Sequence, residues 1–244
     1  MSTRLVVLLA GALLLVRLPS LVQPMGGDQA LYAYVADRIR AGGLPYRDAW
    51  DQKPPAIHFL YAGLRTMWGH DGAVPAADLA AAAIAAWLLY RLGALGPAGT
   101  GAMSALVFLL LSNPAFTRVA GIRLRSQCET FIAVAVTAGL LLLARTRTGA
   151  TATSLFGAGA LYGVAFIFKY NAAVFAVAAV ITLWLWRRLT VANVLSLAAG
   201  FAVPALALPL VFALGGTLRP LFDATILYNL RYSGETYGGA ADVI

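Results

Sequence analysis

The 244-residue chain is 61% hydrophobic and only 11% charged, far below the roughly one quarter of charged residues usual in a soluble domain, so a membrane solvent is implied. A single cysteine, Cys128, excludes an internal disulfide and a cysteine-based metal site, and two scattered histidines offer no zinc spacing. The net charge of +8 is spread through loops between apolar runs, without the dense basic patch of a nucleic-acid binder.

The chain starts with Arg4 followed by a long apolar run, as a signal peptide does, but Arg17 interrupts the run and no small-x-small cleavage site follows, so an uncleaved anchor is expected. A crossing helix needs about 20 apolar residues. On that measure seven crossings are expected: Leu5 to Val22, Pro75 to Leu95, Gly99 to Phe116, Cys128 to Ala144, Thr153 to Phe168, Asn171 to Trp186, and Val191 to Leu214. The fifth and sixth are short and hinge near Lys169. The expected fold is therefore all-α, a polytopic transmembrane helical bundle forming one domain over residues 1–244. Placing the N-terminus inside makes the short inner hairpins purely basic, with Arg91, Arg145, Arg147, Arg187 and Arg188, and leaves every acid on the other side. Raw counting of Lys and Arg favours the reverse, because eleven of the eighteen fall on the acidic side. The purely basic hairpins decide for an inside N-terminus.

Residues 23–74 form a first external loop far longer than a tight connection requires, as functional loops are. Asp28 to Ala41 puts Leu31, Tyr34, Val35 and Ile39 on one helical face, the pattern of an amphipathic surface helix. Gly42-Gly43-Leu44-Pro45 ends it. Pro54-Pro55 opens a second surface helix with apolar positions Ile57, Leu60, Tyr61, Leu64 and Trp68, and Gly69 closes that one.

Three stretches of this loop carry a family signal: Gly27-Asp28-Gln29-Ala30-Leu31-Tyr32, then Gly42-Gly43-Leu44-Pro45-Tyr46-Arg47-Asp48, then Trp50-Asp51-Gln52-Lys53-Pro54-Pro55. In that order and spacing they resemble the first periplasmic loop of the GT-C class of membrane glycosyltransferases, in the branch of protein O-mannosyltransferases and aminoarabinose transferases. The sequence departs from the pattern at Gln29 and Gln52, where relatives commonly carry Glu, so the second acid is either displaced to Asp51 or lost. Relatives also usually run to twice this length or more, which implies a truncated N-terminal part.

What the resemblance implies is an inverting transfer of a sugar from a polyprenyl-phosphate donor to a lipid, glycan or protein hydroxyl, at the external face of a bacterial cytoplasmic membrane, with neither cofactor nor metal. Asp28 is the candidate catalytic base; by position alone it is equally a helix N-cap. Lys53 is the candidate phosphate partner, against an interfacial lysine that snorkels. Asp51 either positions the acceptor, pairs with Lys53, or is a solvated loop acid. Glu129 stands where a second site acid often occurs, with Arg125 one helical turn before it as a local partner. Lys169 reaches the donor or snorkels. Arg231 and Tyr232, with Tyr228 and Tyr237, contact sugar or phosphate or form an interfacial aromatic belt. Cys128 and His58 read as packing residues. Two other classes stay open: a transporter or flippase of a lipid-linked substrate, and a non-catalytic membrane scaffold.

Overall fold

The computed structural model describes residues 3–21, 24–69, 71–112, 118–119, 122–123, 126–147, 149 and 151–232. Its helices are α1 (Thr3–Leu21), α2 (Asp28–Arg40), α3 (Ala56–Trp68), α4 (Ala73–Gly93), α5 (Thr100–Leu111), α6 (Cys128–Arg145), α7 (Ala152–Phe168), α8 (Ala173–Leu185), α9 (Val191–Leu214) and α10 (Leu218–Phe222). Among the described residues, a ladder of two residues per strand, Arg118–Val119 against Ile122–Arg123, and an isolated bridge between Pro45 and Ala49 accompany the helices. The class is all-helical, as expected.

Apolar helical stretches occupy all the places where crossings were expected. Three of them, α4, α6 and α9, are long and apolar enough to cross a membrane, whereas Thr3–Leu15, Thr100–Leu111, Ala152–Phe168 and Tyr170–Leu185 are shorter. Side-chain caps start two of these helices: Thr151 accepts the Ser154 N–H and Thr190 accepts the Asn193 N–H, both at 3.2 Å. The expected hinge is real. Lys169 is extended (φ −152°, ψ 126°) after α7, and a 3₁₀ turn at Tyr170–Ala172 leads into α8.

In the bundle, α9 packs on α7, α7 on α6, α6 on α4, and α4 on α5, while α1 lies against α4 and α5. The α7–α9 crossing is close because Gly159 and Gly200 face each other's helix: a Cβ on either would overlap the carbonyl of Leu197 or Phe156.

The first loop is built as expected in its elements and only in part in its faces. Helix α2 ends in a Schellman turn, with the Gly42 N–H on Ile39 O, the Gly43 N–H on Arg38 O, and Gly42 at φ +86°. Its inward face is Gln29, Tyr32, Ala33, Val35 and Ala36, while Tyr34 points out under Arg38. Of the expected apolar face, Val35 is fully buried, Ile39 packs on the core and Leu31 is half-buried, Tyr34 alone is exposed, and the buried face extends to Tyr32, Ala33 and Ala36. The reason is that α2 and α3 bury themselves in protein: Tyr32, Ala36, Ile57 and Tyr61 share one core with Val74 of α4, Cys128 of α6 and Phe168 of α7. Small and hydroxylated residues serve that contact better than the larger apolar ones.

Candidate active site

Helix ends converge on the first loop. The Tyr61 hydroxyl donates to Ser126 O (2.9 Å) just before α6, and the Asn229 amide, beyond α10, donates to Gln52 O (2.9 Å). The Tyr170 hydroxyl meets Thr225 Oγ1 (3.1 Å), which itself donates to Leu221 O, within the single π-turn at Asp223–Leu227. Segments more than a hundred residues apart therefore meet at one end of the bundle.

Asp28 is the first residue of α2; Gly27 holds the N-cap position, so the N-cap reading is not met. The carboxylate is exposed and stabilised at a helix N-terminus. Tyr32, one turn on and 1% exposed, donates to Asp28 Oδ2 at 3.4 Å. Burial, reinforced by the nearby carboxylates of Asp28 and Asp51, pushes the Tyr32 pKa far above the ordinary tyrosine range, so it stays a donor.

Asp51 is no solvated loop acid. It is 2% exposed, its Oδ2 lies 2.8 Å from Nε2 of the fully buried His58, and its Oδ1 accepts the Lys53 backbone N–H at 3.3 Å. His58 packs edge-on to Tyr32 and Tyr46, as a packing residue would, but its link to Asp51 was not foreseen. The i, i+7 spacing across Pro54-Pro55 was the available signal.

Glu129, at the start of α6, forms an ion pair with Lys169, forty residues on. Arg125 lies outside the described residues, as does Tyr237, so the local pair expected for Glu129 is not described; Lys169 is a partner that the sequence did not indicate. Burial opposes the charge on Lys169, but the hydrogen bond and charge of Glu129 outweigh it and hold its pKa above the ordinary lysine value. Lys53 is half-buried and its charge reaches Glu129 and Cys128; that of Asp28 reaches Lys169. Of these four candidates Glu129 and Lys169 are in contact, while Lys53 and Asp28 act on that pair through their charge. Among the described residues no three His, Cys, Asp or Glu side chains group as metal ligands.

Tyr232 and Arg231 are exposed at the edge of this cluster. Tyr232 stacks on Tyr228 (6.1 Å), which meets Trp50 edge-on at 4.8 Å, so the aromatic pair leans on the first loop through its tryptophan.

A polar knot that composition gave no reason to expect lies beneath the cluster. Arg17 of α1 forms a buried ion pair with Asp78 of α4, and its Nη2 donates to Ser112 O and Oγ, both at 2.9 Å. Asp78 stands within the second expected crossing, near its external end, and Arg17 meets it there. Its Oδ1 accepts the Ser126 N–H at 2.8 Å, and the Ser126 hydroxyl donates to Val74 O at 2.7 Å. Ser126 is held at φ +50° by these bonds, and Gln127 and Cys128 then lead to Glu129. A cavity of 330 Å³ lies beside the knot, lined by Arg17, Asp78, Phe108, Thr130 and Ala133 and bordered by Glu129.

No protein-family model and no curated protein matches this chain.

The arrangement offers an exposed carboxylate that accepts from a phenol, and a lysine kept charged by a paired glutamate. That set can accept a proton from a hydroxyl and neutralise an anionic leaving group.

Proposed function

We propose that the protein is an inverting glycosyltransferase of the GT-C type that takes its sugar from a polyprenyl phosphate. The observation that carries the reading is the ion pair of Glu129 with Lys169, forty residues apart, with Asp28 and Lys53 near enough for their charges to act on it. In this reading the chain crosses the membrane seven times. The loops at 22–72, 112–127, 169–172 and 215–232 then fall on one face, which is the external one if the basic hairpins at Arg91, Arg145 and Arg187 are internal.

Asp28 accepts the proton of the acceptor hydroxyl while the oxygen attacks C1 of the sugar. The bond from C1 to the phosphate oxygen breaks with inversion, and the polyprenyl phosphate leaves with its negative charge held by Lys53 and Lys169. Glu129 keeps Lys169 charged and aimed. The Arg17–Asp78 pair and its cavity favour a second reading, a carrier of lipid-linked substrate, because intramembrane ion pairs mark transport pathways.

Transfer of radiolabelled sugar from polyprenyl-phosphate donors, in membranes containing the protein or its Asp28→Asn variant at matched levels, tests the proposal. The native protein transfers label and the variant loses about two to four orders of magnitude, the usual contribution of general base catalysis. Equal transfer by both, or none above empty membranes, sinks the enzyme reading; movement of donor across vesicles without transfer establishes the carrier.

A further inference from the structure

Lys53 is followed by two prolines, which contribute no N–H and restrict its own backbone to extended conformations. The prolines supply no backbone donor to fix this segment, and side chains of the loop and of a remote segment fix it instead. The Lys53 N–H goes to Asp51 Oδ1 (3.3 Å), the Lys53 carbonyl accepts the Tyr46 hydroxyl (2.7 Å), and the Gln52 carbonyl accepts the Asn229 amide (2.9 Å). Asp51 is itself held by His58, whose Nδ1 has no partner among the described residues, so the ring's polar contact is spent on the carboxylate.

Each of these holders is placed to be rigid. Asp51 and His58 are buried to 2% and 0% exposure, and Tyr46 is buried at φ +68° in a turn whose N–H bonds Ala49 O at 2.7 Å. Burial pushes the Tyr46 pKa well above the usual tyrosine range, so its hydroxyl remains a donor at every physiological pH. Asn229 also donates to Thr225 O (3.0 Å), tying the grip to the π-turn. The backbone of Lys53 is thus held on three sides while its side chain is left half-exposed.

We propose that Tyr46, Asp51 with His58, and Asn229 are positioning residues that fix the Lys53 backbone so that its ammonium meets the phosphate of a polyprenyl-phosphate ligand. A point charge on a flexible stem binds an anion better when its root is already ordered. The inference rests on the glycosyltransferase reading for the identity of the anion, but the grip itself does not.

The sequence has two lysines, Lys53 and Lys169, whose labelling in competitive acetylation is read by mass spectrometry, as their ratio in the free protein and each against an added reference peptide when ligand is present. The full chain in nanodiscs, with and without polyprenyl phosphate, is compared with Tyr46→Phe, Asp51→Ala and Asp51→Asn. In the free protein, Tyr46→Phe and Asp51→Ala change the Lys53 to Lys169 labelling ratio. Asp51→Asn restores it, because an amide oxygen still accepts the Lys53 N–H. Polyprenyl phosphate protects Lys53 in the native protein, and the concentration needed rises about tenfold in Tyr46→Phe, the effect of one lost hydrogen bond. Transfer activity shows the same rise in donor KM with little change in kcat. An unchanged labelling ratio in both damaging variants overturns the grip, whatever the ligand does. A changed ratio with no protection of native Lys53 overturns the phosphate assignment, and with it the donor reading, while the grip stands.

Discussion

The ammonium of Lys169 and the carboxylate of Glu129 pair across forty residues, joining the hinge between α7 and α8 to the first turn of α6. Both side chains keep solvent access, 32% and 62%, so the pair contributes little to stability, about 0.2–1 kcal/mol. If its task is to aim a cation, Glu129→Gln and Lys169→Met each lower transfer far more than they lower thermal stability. The pH dependence has a definite sign. The folded pKa of Lys169 is above its ordinary 10.5, so the pair's contribution is complete below that value and fades as pH rises through the folded pKa. Thermal unfolding in detergent at rising alkaline pH should show this loss in the native protein and not in Glu129→Gln.

Arg17 and Asp78 present the opposite case, a pair at 6% and 3% side-chain exposure. Removing one partner strands the other in an apolar surround, which costs about 3–5 kcal/mol, whereas replacing both with apolar residues is often close to neutral. Arg17→Leu and Asp78→Leu should each lower the unfolding midpoint strongly, and the double variant should recover much of the loss. Recovery is incomplete because Asp78 also accepts the Ser126 N–H, which loses its partner. Strict additivity of the two changes would show that the charges do not compensate each other.

This knot also marks where the sequence stops being readable. Apolar length gave the positions of the helices and the break at Lys169, because both follow from local chain properties. Charge placed Asp28, Lys53, Glu129 and Lys169 in loops or at helix ends of one side, and the fold pairs Glu129 with Lys169 there. Long-range partners left no local trace: Arg17 carries no mark pointing to Asp78, 61 residues away, and Glu129 has nearer arginines than Lys169 in sequence. The Tyr32, Ala33 and Ala36 part of the buried face of α2 was missed for a related reason. Periodicity finds the greasiest stripe, while α2 docks through Tyr32, Ala33 and Ala36, whose small size or hydroxyl suits a protein contact and scores poorly as apolar.

Helices α2 and α3 are clamped by Arg65, which bonds Asp37 at 3.0 and 3.1 Å and pairs with Asp71. For Asp37, burial works against its charge, yet the hydrogen bonds from Arg65 and Arg40 prevail and hold its pKa below the ordinary 3.8. A lowered carboxylate pKa contributes stability above 3.8 that disappears as pH falls through the folded value. Hydrogen exchange of α2 should therefore accelerate in that acid window. Arg65→Met, which retains much of the stem's packing, should show the faster exchange already at neutral pH and lose the acid step.

At the α7–α9 crossing the limit is steric. Gly159 and Gly200 let the two backbones approach until a Cβ on either would enter the opposite helix's carbonyl. Neither atom in the clash belongs to a flexible side chain, so relief requires the helices to separate along their contact. Gly200→Val should lower the unfolding midpoint by an amount typical of overpacking, about 1–3 kcal/mol. Because α7 ends at Lys169, the separation should also displace the lysine from Glu129. The labelling of Lys169 relative to Lys53 is the measurement that registers this, and it should rise in Gly200→Val. A variant equally destabilised by Leu155→Ala leaves the backbone approach intact, so it should keep the native ratio; an equal rise in both would assign the effect to general loosening of the bundle instead of the glycine contact.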